Sequence, residues 1–129
     1  MKKSIQLTDR FPVARKELFN AWLDSDKHGV FTGSTARIDP VEGGEHRAWD
    51  GYIWGTTVTI VPHERIVQTW RTSDFPEGSP DSVIELAFGE SEGYTTLTIV
   101  HTKIPEGQEE DYRKGWVDFY FTPMHEFYG

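Results

Sequence analysis

The chain has 129 residues, with 13 Lys and Arg against 21 Asp and Glu, a formal net charge of −8 and no cysteine. That length suits a single domain, residues 1–129, built on one core, and the acidic balance argues against nucleic acid or an anionic membrane as a partner. Without cysteine, disulfides, thiolate nucleophiles and zinc–thiolate centres are excluded.

In chain order, the two lysines of "MKKSIQLTDRFP" have no apolar run behind them, so no signal peptide is expected. No stretch approaches the ~20 apolar residues of a membrane span, and a cytoplasmic location is the default expectation. Ser4 to Phe11 alternates, with Ile5 and Leu7 on one side, which predicts a half-buried strand. The period then changes. Ala14, Leu18 and Trp22, with Phe11, Phe19 and Leu23 alongside, form a stripe at helical spacing. Pro12 suits the first turn of that helix. "DSDKHGVFTG" predicts a short second helix or turn ending near Phe31.

From Ser34 the pattern has period two. "STARID" reads as a short strand stopped by Pro40. "GEHRAW" and "YIWGTTVTIV" flank Asp50-Gly51, a dipeptide that signals a type I′ hairpin turn. Gly55 is read as relieving crowding beside Trp54. Pro62 and His63 predict another reversal before "RIVQTWR", and "TSDFPEGSPD" is an acidic loop. "SVIELAFGE" and "YTTLTIVHT" are two further strands joined by "SEG". Beyond Pro105 the helical period returns. Glu109, Glu110 and Asp111 fall in the first turns, where the helix dipole favours negative charge. Tyr112, Trp116, Phe119, Tyr120 and Phe127 are expected to form one face, and Pro123 to kink or weaken the last turns.

Strands in series joined by tight turns predict an antiparallel meander, and the aromatic helix must bury its face against that sheet. The expected fold class is α+β: a curved antiparallel sheet around a long C-terminal helix, with two short helices near the N-terminus. Aromatic residues make up 14% of the chain, so the core is built from a few large rings that can enclose a cavity.

Alternation assigns the faces. Trp54, Val58 and Ile60 share one face, Ile66, Gln68 and Trp70 the next, and Ile84, Leu86 and Phe88 match Leu97, Ile99 and His101. These are expected to face the helix, with Trp116 and Tyr120 opposite and His46 joining from "GGEHRAW". The candidate cavity residues are therefore His46, Trp54, Gln68, Trp70, His101, Trp116 and Tyr120. Each has a plain structural alternative. Trp70 and Trp116 suit ordinary core. Gln68 and His101, polar within apolar strands, need hydrogen-bond partners if buried and suit a satisfied structural pair. Arg71 suits a surface charge partner of the acidic loop.

The five histidines are scattered, without the i, i+4 pair and intervening Glu of a helical zinc protease. No phosphate loop, dinucleotide fingerprint or G-x-S-x-G motif is present. No catalytic residue, metal site or cofactor is expected from motifs, although acid–base work by a cavity carboxylate stays open.

Four segments, "FTGSTARIDPVEGGEHRAWDGYIWG", "RIVQTWR", "GYTTLTIVHTKIP" and "YRKGWVDFYFTPM", together resemble the heat-shock protein 90 ATPase activator-like family of the START/Bet v 1-like (SRPBCC) superfamily. The resemblance covers essentially the whole chain. It implies the helix-grip fold, a sheet of six or seven antiparallel strands around a C-terminal helix, with a cavity that in the superfamily often takes hydrophobic molecules. Family members commonly have Gly-Gly-x-Phe where this chain has Gly43-Gly44-Glu45-His46, which would make the site here more polar. Three functions are implied: binding of a hydrophobic or aromatic small molecule, a chaperone co-regulator or protein-interaction module, and a cyclase- or hydratase-like enzyme using His46 or His101. The chain has the length of the C-terminal-type domain alone, and small-molecule binding is the leading expectation.

Overall fold

The structure, a computed structural model, describes residues 2–129. Strand β1 (Lys3–Phe11) leads into helices α1 (Arg15–Leu23) and α2 (Ser25–Thr32). Strands β2 (Arg37–Ile38), β3 (Glu45–Ala48), β4 (Ile53–Val61), β5 (Arg65–Thr72), β6 (Ser82–Ser91) and β7 (Tyr94–Ile104) follow. The chain ends in α3 (Glu109–Trp116), a π-helical turn (Val117–Phe121) and α4 (Thr122–Tyr128). The fold is α+β, as expected. One seven-stranded antiparallel sheet runs β1-β7-β6-β5-β4-β3-β2, so the N-terminal strand completes the meander beside β7.

Local chemistry accounts for most boundaries. Asp24 caps α2 by accepting from the Lys27 N–H at 3.0 Å, and Gly33 ends the helix at φ 77°, a conformation glycine adopts without penalty. Helix α1 begins later than Pro12 suggests. Ala14 is still extended, because the Val13 carbonyl is held by the Thr95 hydroxyl at 2.6 Å. The β6–β7 connection is the two-residue turn of type I′ character: Ser91 pairs with Tyr94, and Glu92 and Gly93 have φ of 54° and 82°.

The Asp50-Gly51 hairpin differs from its expected form. Ala48 pairs with Ile53, so the loop has Trp49, Asp50, Gly51 and Tyr52 between the strands, and Trp49 already has a positive φ of 52°. Cross-strand partners share a face. Arg47 pairs with Trp54, which therefore points outward, while Ile53, Gly55 and Thr57 point inward. The pairing of β4 with β5 then shifts between Thr57 and Thr59. Val58 is left unpaired and 52% exposed, and the bulge turns Ile60 back toward the core. The expected shared face of Trp54, Val58 and Ile60 is thus replaced by two inward sets on either side of a bulge.

On β5, β6 and β7 the alternation holds. Ile66, Gln68, Trp70, Ile84, Leu86, Phe88, Leu97, Ile99 and His101 are all buried. The C-terminal helix lies over this face with Tyr112, Trp116 and Tyr120 buried. Phe119 and Phe127, expected on the same face, are 55% and 54% exposed, and Phe121 and Met124 are buried instead. The π-turn is the reason. Thr122 donates to the Val117 carbonyl, five residues back, and the extra residue in that turn rotates the following face. Pro123 follows directly on the π-turn and contributes no N–H to the ladder, so the irregular turn and the missing bond fall together in one stretch of a continuous helix.

Candidate functional site

Near the β3–β4 loop and the end of β5, the helix and sheet diverge around a cavity of about 600 Å³. Ile53, Trp70, Tyr112, Gly115, Trp116 and Tyr120 form its walls, and Trp49 and Phe119 cover it with their rings edge to face at 5.4 Å. Tyr52, Asp74, Gln108 and Asp111 supply the polar lining. Of the residues proposed from sequence, Trp70, Trp116 and Tyr120 come together here.

The polar side is a closed ring of hydrogen bonds. The Asp74 N–H donates to Thr72 Oγ1 at 3.1 Å, and Thr72 Oγ1 lies 2.8 Å from the Tyr112 hydroxyl. Tyr112 donates to Gln108 Oε1 at 2.7 Å, so the Thr72 hydroxyl donates to Tyr112. Gln108 Nε2 returns to the Asp74 carbonyl at 2.9 Å. Burial raises the Tyr112 pKa, which keeps its hydroxyl a donor at neutral pH. Tyr52 donates to the Asp74 carboxylate at 2.6 Å. The end of β5, the acidic loop and the start of α3 are thereby tied into one rim.

Behind the cavity wall, two histidines are locked as neutral imidazoles. Ser82 donates to the Trp70 carbonyl at 2.5 Å, so His101 Nε2–H must donate to Ser82 Oγ at 2.8 Å. His101 Nδ1 then accepts from the Trp116 indole at 3.1 Å. Desolvation pushes the His101 pKa down to about 3. His28, which sequence reasoning did not single out, donates from Nδ1 to the Trp22 carbonyl at 2.8 Å and lies 3.0 Å from the Tyr120 hydroxyl. Its Nε2 accepts from that hydroxyl, and burial pushes its pKa down to about 4. Burial also raises the Tyr120 pKa. The Trp49 N–H is buried without a partner of good hydrogen-bond geometry. It lies close enough to Tyr120 to offset a little of that rise.

The remaining candidates lie elsewhere. Gln68 is satisfied by Trp22 Nε1 at 3.3 Å and Thr57 Oγ1 at 3.1 Å rather than by His101. His46 is buried on the inward face, where its Nε2–H reaches across β4 to the Thr69 carbonyl at 2.7 Å. Desolvation lowers its pKa. His46 and Gln68 border a space of only about 10 Å³, at the lower limit for one water. Trp54 is on the outer face, with the Arg71 guanidinium 6.0 Å from its ring. Arg71 bonds Asp81 and the Ser79 carbonyl, each at 2.8 Å, as a charge partner of the acidic loop. Among the described residues no group of three or more His, Asp or Glu could hold a metal ion.

Sequence reasoning did not assign Trp49, Tyr52, Asp74 or Gln108 to the site. The first two sit in a hairpin loop and the others beyond element ends, so no periodicity points them inward. The one available signal was two aromatic residues beside a positive-φ dipeptide.

The chain is similar to human activator of 90 kDa heat shock protein ATPase homolog 1, with 30% identity over 125 residues, covering 97% of this chain and 37% of that protein. It therefore spans about a third of the length of that relative. Among solved structures, PFC0360w, an HSP90 activator from Plasmodium falciparum, superposes with a TM-score of 0.88 at 26% identity, covering 96% of this chain and 94% of that one. CalU16 from Micromonospora echinospora superposes with a TM-score of 0.76 at 25% identity, covering 95% and 76%. The architecture common to these neighbours is the SRPBCC-type helix-grip. A family profile described as "Activator of Hsp90 ATPase homolog 1-like protein" matches residues 12–127, and the chain belongs to that family.

Proposed function

We propose that the domain binds a small aromatic or hydrophobic molecule in the cavity between sheet and C-terminal helix. The observation that carries this reading is the cavity itself, about 600 Å³ and walled by Trp49, Trp70, Tyr112, Trp116, Phe119 and Tyr120. That volume is within the range of ligand pockets, and its mixture of apolar wall and few polar groups is their usual composition. A thermal-shift and NMR screen against fused-ring aromatic compounds and lipids tests it. Saturable shifts are expected at the indole N–H signals of Trp49, Trp70 and Trp116. Trp54, on the outer face, is the internal control. No saturable shifts, or shifts confined to Trp54, would remove the reading.

A second reading is favoured by the names of the relatives. The human and Plasmodium proteins are called activators of the 90 kDa heat-shock protein or its ATPase. A role for this chain in binding such a chaperone is tested by pull-down and ATPase assay with the 90 kDa chaperone of the same organism. A null result in both leaves that role without support.

A further inference from the structure

The charges lining the cavity are all of one sign. Among the described residues, Asp74 and Asp111 are the only formally charged ones that line it, and no Lys, Arg or His does. The three cations directly adjacent in sequence to lining residues are held by other carboxylates. Arg71 is paired with Asp81, Arg113 with Glu110 and Lys114 with Asp118. Tyr52 fixes the Asp74 carboxylate at the rim through its 2.6 Å hydrogen bond. The walls are aromatic, and ring faces carry negative potential that attracts cations and repels anions. Both features act in the same direction. A carboxylate ligand would meet two like charges and no counter-ion. A cationic group on an aromatic body would meet ring faces below and carboxylates at the entrance.

Resting on the ligand-binding reading, we propose that the cavity selects an aromatic ligand bearing a protonated amine or quaternary ammonium group, and discriminates against carboxylate ligands such as fatty acids. Asp74 and Asp111 set this preference, while the rings supply affinity for the aromatic body.

The test uses three probes with one aromatic body: naphthalene-2-methanol, 2-naphthylmethyl-trimethylammonium and 2-naphthylacetate. Each is titrated into the full chain by calorimetry and by NMR at two ionic strengths. The cation is expected to bind about tenfold more tightly than the neutral probe and the anion more weakly than either. Asp111→Asn and Asp74→Asn should each lower the ratio of cation to neutral-probe affinity. Asp111→Asn leaves the Tyr52–Asp74 bond in place. Glu92→Gln, in the β6–β7 turn at the other end of the sheet, makes the same change in net charge and should leave the preference intact. Equal binding of cation and neutral probe, or tightest binding of the anion, overturns the proposal while the cavity reading stands. A preference that falls equally in all three variants reports net charge and also overturns it. No binding by any probe overturns both.

Discussion

His28 and His101 are buried, each with both ring nitrogens engaged, and each imidazole is neutral because burial penalises its charged form. Protonating His101 would set an N–H at Nδ1 against the Trp116 N–H. In the unfolded chain both rings take up a proton near pH 6.5, but in the folded chain only at about 4 for His28 and about 3 for His101. The folded pKa is the lower one, so this contribution to stability is full above pH 6.5 and is lost as the pH falls toward 4. The two sites together give a slope of up to about 3 kcal/mol per pH unit. Urea unfolding at pH 7, 6 and 5 should show a steadily falling midpoint, and His101→Gln should flatten the trend. A midpoint unchanged from pH 7 to 5 would contradict this assignment.

Gly55 is the second position where one residue decides the local structure. A Cβ there would lie 2.0 Å from the Thr69 carbonyl oxygen and 2.7 Å from His46 Nε2. The glycine's role is therefore to admit the His46 ring and the neighbouring backbone on the inward face, not to relieve crowding around the outward Trp54. Gly55→Ala should cost about 3 kcal/mol, as overpacking against fixed backbone does. Adding His46→Ala should not rescue it, because the closer contact is to main chain. Chemical denaturation of the single and double variants checks both statements.

At the scale of elements, the C-terminal helix combines two irregularities. The π-turn brings Phe121 and Met124 inward and leaves Phe119 to cover the cavity beside Trp49. Gly115 lies upstream in α3 and lines the cavity, and a Cβ added there meets only Phe119 Cδ2 at 3.8 Å, an ordinary contact. Glycine within a helix is unfavourable by about 0.5–1 kcal/mol relative to alanine. Gly115→Ala should therefore raise stability by about that amount. Gly115→Leu should fill the cavity and weaken binding of a naphthalene probe by about tenfold, since lost volume removes apolar contact. Thermal melts and probe titrations of the two variants separate the effects. Unchanged binding by the Leu variant would move the ligand site elsewhere.

Across the whole molecule, one apolar cluster joins β1, the two short helices, the sheet and the C-terminal helix. Unfolding should therefore be a single cooperative transition. Tryptophans on the helices, Trp22 and Trp116, and on the sheet, Trp70, should report the same midpoint by fluorescence as far-UV circular dichroism does. Separate midpoints would show that the helix detaches from the sheet first.

The sequence by itself determined the order of elements, their types and the inward faces of β5, β6 and β7. These follow from alternation and helical period, which are local consequences of backbone geometry. It also carried the family, through motifs spread along the chain. The face of β4 was not legible, because alternation alone does not say which of its two sets points inward, and the bulge between Thr57 and Thr59 then changes parity by one residue without a unique signature. The face of the last helical turns was lost to the π-turn for the same kind of reason. Only the tertiary structure decided which end of the grip opens, which candidates line the opening, and that Trp49, Tyr52, Asp74 and Gln108 complete it. A cavity is the space left where helix and sheet diverge, and that divergence depends on contacts between residues far apart in the chain. The same holds for His46, whose partner across two strands exists only once β3, β4 and β5 are side by side.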